Sequence, residues 1–133
     1  MLLISRLECS IAGQTRTVRI TPGTRTARAY GREEAQEAFR CNFGLNPRYR
    51  EKILSEPLRV AGVDDDGEVR VVELANHRFF VATLFLPPLS STPAAPHPLV
   101  VAYLRAAAAF HAARRVHSQS AHGNIAAAQQ EGR

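Results

Sequence analysis

A long apolar run closes the β-rich part of the chain and predicts its most buried strand. Residues 79–86 read Phe-Phe-Val-Ala-Thr-Leu-Phe-Leu, an almost unbroken series of aromatic and branched side chains. This length and composition are typical of a strand that is buried on both faces near the centre of an α/β sheet. Pro87 and Pro88 must end that strand, because proline has no N–H to donate to the ladder.

Alternating polar and apolar positions predict a hairpin-built sheet around this strand. Residues 15–20 alternate β-branched with charged side chains, as a half-exposed strand does. Residues 58–62 and 68–74 flank the run Asp-Asp-Asp-Gly, which is typical of a tight hairpin turn. We interpret its aspartates as a solvated turn, because an EF-hand would need further oxygen ligands and a glutamate at a set spacing.

Helical spacing predicts two helices that flank the sheet. Asn46 suits the cap, and Pro47 the first position, of a short helix that ends near residue 56. From Pro98 the apolar side chains recur at helical intervals as far as Phe110, and the alanines between them favour the helix. The expected fold class is therefore α/β, with a mixed or hairpin-built sheet and flanking helices.

The helical pattern is lost beyond Arg115. The residues that follow are mainly small and polar, and they present no continuous apolar face that could pack on a core. We therefore expect a truncated domain at residues 1–116 and a flexible C-terminal tail at residues 117–133.

Composition and charge narrow the classes of protein that the chain can represent. Its 133 residues fit one domain, and no apolar run is long enough to span a bilayer, so we expect no membrane association. No export signal is recognisable and only two cysteines are present, which favours a reducing cytoplasm and provides too few ligands for a structural zinc site. The net charge of +5 comes from arginines that are not interleaved with aromatic side chains, which argues against nucleic acid. We expect no cofactor and no metal.

The closing segment carries an apolar run followed by Ser-x-Pro and by Pro-His-Pro-Leu before the last helix. The residues that define this pattern are His77, Phe79, Phe80, Val81, Phe85, Pro87, Ser91, Pro93, Pro96, His97, Pro98 and Leu99. The segment resembles the class I glutamine amidotransferase domain of CTP synthases, or more narrowly the proteins described as CTP-synthase C-terminal-region-related. In that family an apolar strand runs into Gln-Phe-His-Pro-Glu before the same two motifs. Earlier agreement is carried by Pro22, Gly23, Tyr30, Gly31, Glu37, Arg40, Phe43 and Asn46. The resemblance implies the C-terminal half of a flavodoxin-like domain with a mixed sheet.

The resemblance places Leu86 at the family's triad histidine and Pro88 at its triad glutamate. In the family the histidine activates a cysteine nucleophile and the carboxylate orients the histidine, and neither leucine nor proline can do this. That cysteine lies in a Gly-x-Cys-x-Gly elbow in the first half of the family domain, which this chain does not match. The resemblance therefore implies a degenerate domain, a pseudoenzyme that serves in binding or assembly.

A half-domain leaves one sheet face with too few helices to cover it, and large apolar patches rarely persist in monomers. We therefore expect either a homo-oligomer or a complex with a separately encoded N-terminal half.

Other hypotheses stay open for the candidate site residues. Cys41 lies beside Arg40, which would favour a thiolate, so a thiol-dependent redox enzyme is one hypothesis and a half-buried strand cysteine is the other. His97 suits a general base by its type, while its place between two prolines explains it equally through loop rigidity. The last hypothesis is the C-terminal fragment of a glutamine-hydrolysing enzyme of the CTP synthase kind, in pyrimidine nucleotide biosynthesis.

Overall fold

The fold is known from a computed structural model that describes residues 2–7, 10–53 and 57–130, with residues 116–130 as backbone only. The chain divides into two compact units, residues 1–102 and residues 103–133. All the strands and all the candidate site residues lie in the first unit. Within the described ranges, no helix is both long enough and apolar enough to cross a bilayer.

In the described part of the chain, five strands form the main sheet and two short strands form a separate ribbon. The strands are β1 (Ile4–Arg6), β2 (Thr15–Ile20), β3 (Glu34–Ala38), β4 (Phe43–Leu45), β5 (Leu58–Asp64), β6 (Val69–Leu74) and β7 (Val81–Thr83). The sheet has the order β3-β2-β5-β6-β7, and the ribbon pairs β1 with β4. Every one of these pairings is antiparallel. The predicted α/β class, the strand at residues 15–20 and the β5–β6 hairpin are confirmed.

The prediction of a central strand over residues 79–86 is wrong. Only Val81–Thr83 of that run are extended, and β7 is the last strand of the sheet. The Thr83 hydroxyl donates to the Phe85 carbonyl at 2.8 Å, and the chain bends at that point towards the core. Phe85 is 1% exposed and packs edge-on against Phe39, whereas Leu86 is 49% exposed. The apolar run thus combines a short edge strand with a loop that is anchored by one aromatic side chain.

The α-helices among the described residues are α1 (Arg25–Tyr30), α2 (Arg50–Ile53) and α3 (Pro98–Gln130). The Thr24 hydroxyl accepts the Ala27 N–H at 3.0 Å and so caps the start of α1. Gly31 ends α1 with a φ of 64°, a left-handed conformation that favours glycine. A helix at this position is not evident from the apolar pattern, because six residues hold less than two helical turns.

The start of α2 and the start of α3 agree with the sequence. A 3₁₀ turn at Pro47–Tyr49 leads into α2, and the Asn46 side chain accepts the Arg48 N–H at 3.1 Å as the predicted cap. The predicted end of that helix lies outside the described residues. The backbone of α3 begins at Pro98, as predicted, and continues through Gln130. The domain boundary at residue 116 and the flexible tail at residues 117–133 stay predictions.

The core lies between the sheet, α1 and the first turn of α3. Its fully or nearly fully buried apolar side chains are Ile11, Val18, Ile20, Tyr30, Ala35, Phe39, Ala61, Val71, Phe85 and Leu99. Gly62 lies between Val18 and Val71, where an added Cβ would come within 3.0 Å and 3.1 Å of their methyl groups. The middle of the sheet is therefore packed too closely for a side chain at that position.

Candidate functional site

The loop that carries Leu86 and Pro88 is short and held by its own backbone. Leu86 precedes a 3₁₀ turn at Pro87–Ser90, and its carbonyl accepts the Leu89 N–H at 2.9 Å. The Pro88 carbonyl accepts the Ser91 N–H at 3.3 Å. The aliphatic side chain of Leu86 and the ring of Pro88 are both exposed, and neither can exchange a proton.

His97 lies at the end of this loop and is buried to 4% exposure. Its Nε2 is 3.0 Å from Glu37 Oε1, and its Nδ1 accepts the Leu99 N–H at 3.2 Å. Because an amide N–H can only donate, Nδ1 carries no proton, and the proton of the neutral ring is on Nε2. His97 therefore donates to Glu37, which fixes both the tautomer and the ring orientation.

Tyr30 completes a buried polar cluster with Glu37 and His97. The Tyr30 hydroxyl donates to the same Glu37 Oε1 and lies 3.3 Å from His97 Nε2. Burial, and then the hydrogen bond and negative charge of Glu37, raise the pKa of the Tyr30 hydroxyl. Among the described residues, Glu37 Oε2 is buried without a hydrogen-bond partner. We call Tyr30, Glu37 and His97 the buried triad.

The buried triad joins three elements and fixes the loop. Tyr30 ends α1, Glu37 lies in β3 and His97 immediately precedes α3. The His97 N–H also donates to the Ser91 hydroxyl at 3.0 Å, which ties both ends of residues 91–97 together. Because both nitrogens of the ring are engaged and the ring is buried, the arrangement explains His97 as an anchor of the loop.

Cys41 lies apart from this cluster. It is a free, half-buried cysteine in the connection between β3 and β4, and so the interpretation as a strand cysteine is wrong. Among the hydrogen bonds of the described residues, none joins Cys41 to His97. The roles predicted for Cys41 and His97 in catalysis stay predictions, and Cys9 lies outside the described residues.

Asp64 forms a second buried polar cluster, at the tip of the β5–β6 hairpin. It is completely buried, and its Oδ2 accepts from Arg70 Nε at 2.8 Å and lies 3.3 Å from Arg16 Nη1. Its Oδ1 accepts the N–H groups of Asp66 and Glu68 at 3.1 Å and 3.0 Å. Arg70 is itself 2% exposed and lies over the Phe39 ring, 5.6 Å from the centroid.

The interpretation of the three aspartates as a solvated turn is wrong for Asp64. Asp65 and Asp66 are exposed and pair with Arg19 and Arg16, as turn residues can. Asp64 instead organises the turn, and the one signal for this in the sequence is an aspartate that opens an Asp-x-x-Gly turn. Over the described part of the chain, no three His, Cys, Asp or Glu side chains are grouped to hold a metal ion.

A third buried carboxylate, Glu73, holds α1 against the sheet. Its oxygens accept the N–H groups of Arg25 and Thr26 at 2.9 Å and 3.0 Å, and Arg59 Nε donates at 3.0 Å. Burial raises the pKa of Glu73, but the N–H donors of α1 and the Arg59 guanidinium outweigh burial and hold the pKa below its usual value. Glu73 is therefore ionised at neutral pH and supports the helix at its positive end.

Comparison with solved structures identifies the class of protein. No protein-family model matches the chain. The chain matches the glutaminase domain of Trypanosoma brucei CTP synthase with a TM-score of 0.74 and 25% identity, over 80% of this chain and 46% of that chain. A GMP synthase component from Thermoplasma acidophilum shares the fold, with a TM-score of 0.63 and 12% identity, over 84% of this chain and 51% of that chain. The protein is thus a class I glutamine amidotransferase-like domain, as its sequence predicts.

Comparison of sequences narrows the class to one family. A CTP synthase from Picosynechococcus sp. is 40% identical over 90 residues, which is 67% of this chain and 16% of that enzyme. The chain therefore belongs with the glutamine amidotransferase-like C-terminal regions of CTP synthases. It spans less than a fifth of the length of the enzyme that it matches.

Proposed function

We propose that this chain is a CTP synthase-type glutamine amidotransferase module that has no glutaminase activity of its own and serves in binding or assembly. The observation that carries the proposal is the pair Leu86 and Pro88, which the sequence resemblance aligns with the family's triad histidine and glutamate. Their exposed loop contains the side chains of leucine and proline where the family chemistry needs a base and a carboxylate.

The chemistry of glutamine hydrolysis explains why these two positions decide activity. A thiolate must attack the carboxamide carbon, and a base must take the thiol proton and return a proton to the departing ammonia. His97 is badly placed to replace that base, because its Nε2 donates to Glu37 and its Nδ1 accepts from Leu99. Among the described residues, no hydrogen bond joins Cys41 to an imidazole that could take the thiol proton.

We expect the purified chain to release no ammonia from glutamine above the rate of a blank without protein. A coupled glutamate dehydrogenase assay measures this directly, and Cys41→Ser serves as the matched variant with the same expected result. Ammonia release that Cys41→Ser abolishes would overturn the proposal and would favour the thiol-dependent enzyme instead.

A second candidate function is that of the C-terminal part of a complete glutamine-hydrolysing enzyme in pyrimidine nucleotide biosynthesis. The coverage figures favour it, because the chain matches 46% of the T. brucei glutaminase domain and 16% of the cyanobacterial enzyme. The DNA upstream of the first codon tests this hypothesis. An in-frame Gly-x-Cys-x-Gly segment is expected if it holds, and an unrelated or absent reading frame contradicts it.

Both candidate functions require a partner segment, supplied by a second copy, by a separate N-terminal half or by the same polypeptide.

We further infer a cytoplasmic location, which the free thiol of Cys41 supports because thiols persist in reducing compartments.

A further inference from the structure

One face of the five-stranded sheet presents a continuous apolar surface. Val60, Val72 and Ala82 lie directly opposite one another on β5, β6 and β7, and Leu58 lies opposite Leu74 one step further along. Residues that are directly opposite across a ladder, or two apart along a strand, share a face. We call Leu58, Val60, Val72, Leu74 and Ala82 the open face.

The two faces of the sheet are buried to different extents. On the opposite face, Val71 is 0% exposed and Glu73 is 1% exposed, and the first residues of α1 donate hydrogen bonds to Glu73. On the open face the four larger side chains are only half-buried, and Ala82 is exposed. Phe80, which precedes β7, is 40% exposed at the same margin. A valine or leucine on a sheet face normally has a covering layer, and the open face is covered less completely than the first face.

The open face continues into a shallow concavity of about 180 Å³ beside the β1–β4 ribbon. Its walls include Leu58, Val72 and Ala82 from the sheet and Leu3, Ile4 and Leu45 from the ribbon side. The lining contains no carboxylate, and its one charged residue, Arg70, is bound to Asp64. A complementary surface must therefore be apolar.

The two edge strands of the sheet, β3 and β7, also differ in the charge of their side chains. The β3 edge carries exposed Glu34 and Gln36, and polar or charged side chains of this kind discourage further strands. The β7 edge carries no charged side chain between Phe79 and Leu86 and pairs with β6 on one side. The apolar surface thus extends from the open face to the β7 edge, where a further strand could pair.

We propose that the open face and the β7 edge bind the complementary half of a glutamine amidotransferase-like domain. This inference rests on the proposed pairing with an N-terminal half and names the surface that forms the pair. The length of chain supports this occupant, because the chain covers 46% of the T. brucei glutaminase domain and leaves more than half of that domain unmatched. The source is either a preceding part of the same polypeptide or a separate chain, and both present the same apolar chemistry.

The test is co-expression of the tagged 133-residue chain with the unmatched part of the T. brucei glutaminase domain. We expect a 1:1 complex by affinity capture and light scattering. Ala82→Asp should reduce the captured partner at least tenfold, while Ala12→Asp, an equally exposed alanine in the turn before β2, should leave it unchanged. Val72→Thr keeps the side-chain shape and should give an intermediate loss of captured partner. This variant still tests the surface if Ala82→Asp fails to fold. The melting temperature of each variant is measured in parallel.

Each outcome decides one part of the proposal. A complex that tolerates Ala82→Asp would assign the pairing to another surface and overturn this inference alone. A homodimer that Ala82→Asp dissolves would make a second copy the occupant, and a chain that stays monomeric beside the half-domain would overturn the pairing. Ammonia release by the 133-residue chain alone would refute the proposed lack of activity while leaving the docking surface in place. An upstream reading frame that encodes the half-domain would identify the source as the same polypeptide.

Discussion

Asp64 and Glu37 are equally inaccessible to water, yet the two carboxylates are compensated in different ways. Asp64 faces the guanidinium groups of Arg70 and Arg16 and two backbone N–H groups of its own turn. Glu37 receives only the Tyr30 hydroxyl and the neutral His97 ring, and one of its oxygens has no partner within the described residues. The first site closes a hairpin with two arginine guanidinium groups, and the second closes a loop with a phenol hydroxyl and an imidazole. Burial alone therefore does not reveal what a carboxylate does for the fold.

The largest loss of stability is expected when Asp64 is replaced. Asp64→Ala leaves the buried Arg70 guanidinium without its counter-ion, and breaking a buried pair in this way costs about 3–5 kcal/mol of unfolding free energy. Urea titration followed by circular dichroism measures the loss. The matched control is Asp65→Ala, since that side chain is 57% exposed and surface pairs contribute about 0–1 kcal/mol.

Replacement of both partners sharpens this prediction. Asp64→Leu combined with Arg70→Met removes both charges and keeps the volume apolar, so the double variant should be more stable than Asp64→Ala. A double variant that is no more stable than Asp64→Ala would contradict the ion-pair explanation.

A smaller effect is expected in the buried triad. Tyr30→Phe removes a donor from Glu37 without changing the packing of the ring, and a buried acceptor that loses a donor costs about 1–3 kcal/mol. The same urea titration measures it. Tyr49→Phe is the control, because the Tyr49 hydroxyl has no hydrogen bond to the described residues and should cost about 0.5 kcal/mol or less. Equal losses in both variants would show that the hydrogen bond to Glu37 does not stabilise the fold.

The smallest effect is a dependence on pH that Glu73 introduces. Its pKa is lower in the folded protein than the usual value of 4.5, so the unfolded chain takes up the proton first as the pH falls. The stability from Glu73 is therefore complete above about pH 5 and declines as the pH falls through the lowered pKa. Melting temperatures between pH 7 and pH 3 should fall less steeply for Glu73→Gln than for the unmodified chain. Parallel curves would show that Glu73 does not have a lowered pKa.

Sequence patterns correctly predicted the elements that are determined by residues close together in the sequence. The alternation at residues 15–20, the Asp-x-x-Gly turn and the cap at Asn46 depend on near neighbours, and all three are present. The apolar run at residues 79–86 led to a wrong prediction of a central strand. Apolar composition does not distinguish a strand that is buried on both faces from an edge strand followed by an anchored loop. The family was nevertheless identified correctly, since its matches depended on residue identities along the chain and not on the position of that strand.

The polar clusters could not be predicted because their partners are distant in sequence. Glu37 and His97 are separated by 60 positions, and Arg16 and Asp64 come from different strands, β2 and β5. Nothing near Glu37 in the chain indicates that its carboxylate is buried, since the sequence Glu-Ala-Gln-Glu-Ala of β3 suits an exposed edge equally well. Only the folded sheet brings these groups together.

The bond between His97 Nδ1 and the Leu99 N–H has a consequence for the last helix. Pro98 has no N–H of its own, so the imidazole serves as the cap for the first amide that α3 can offer. The same ring donates to Glu37 in β3, so one side chain joins the sheet to the start of the helix. Replacement of His97 would therefore leave the start of α3 uncapped and Glu37 without its imidazole donor at the same time.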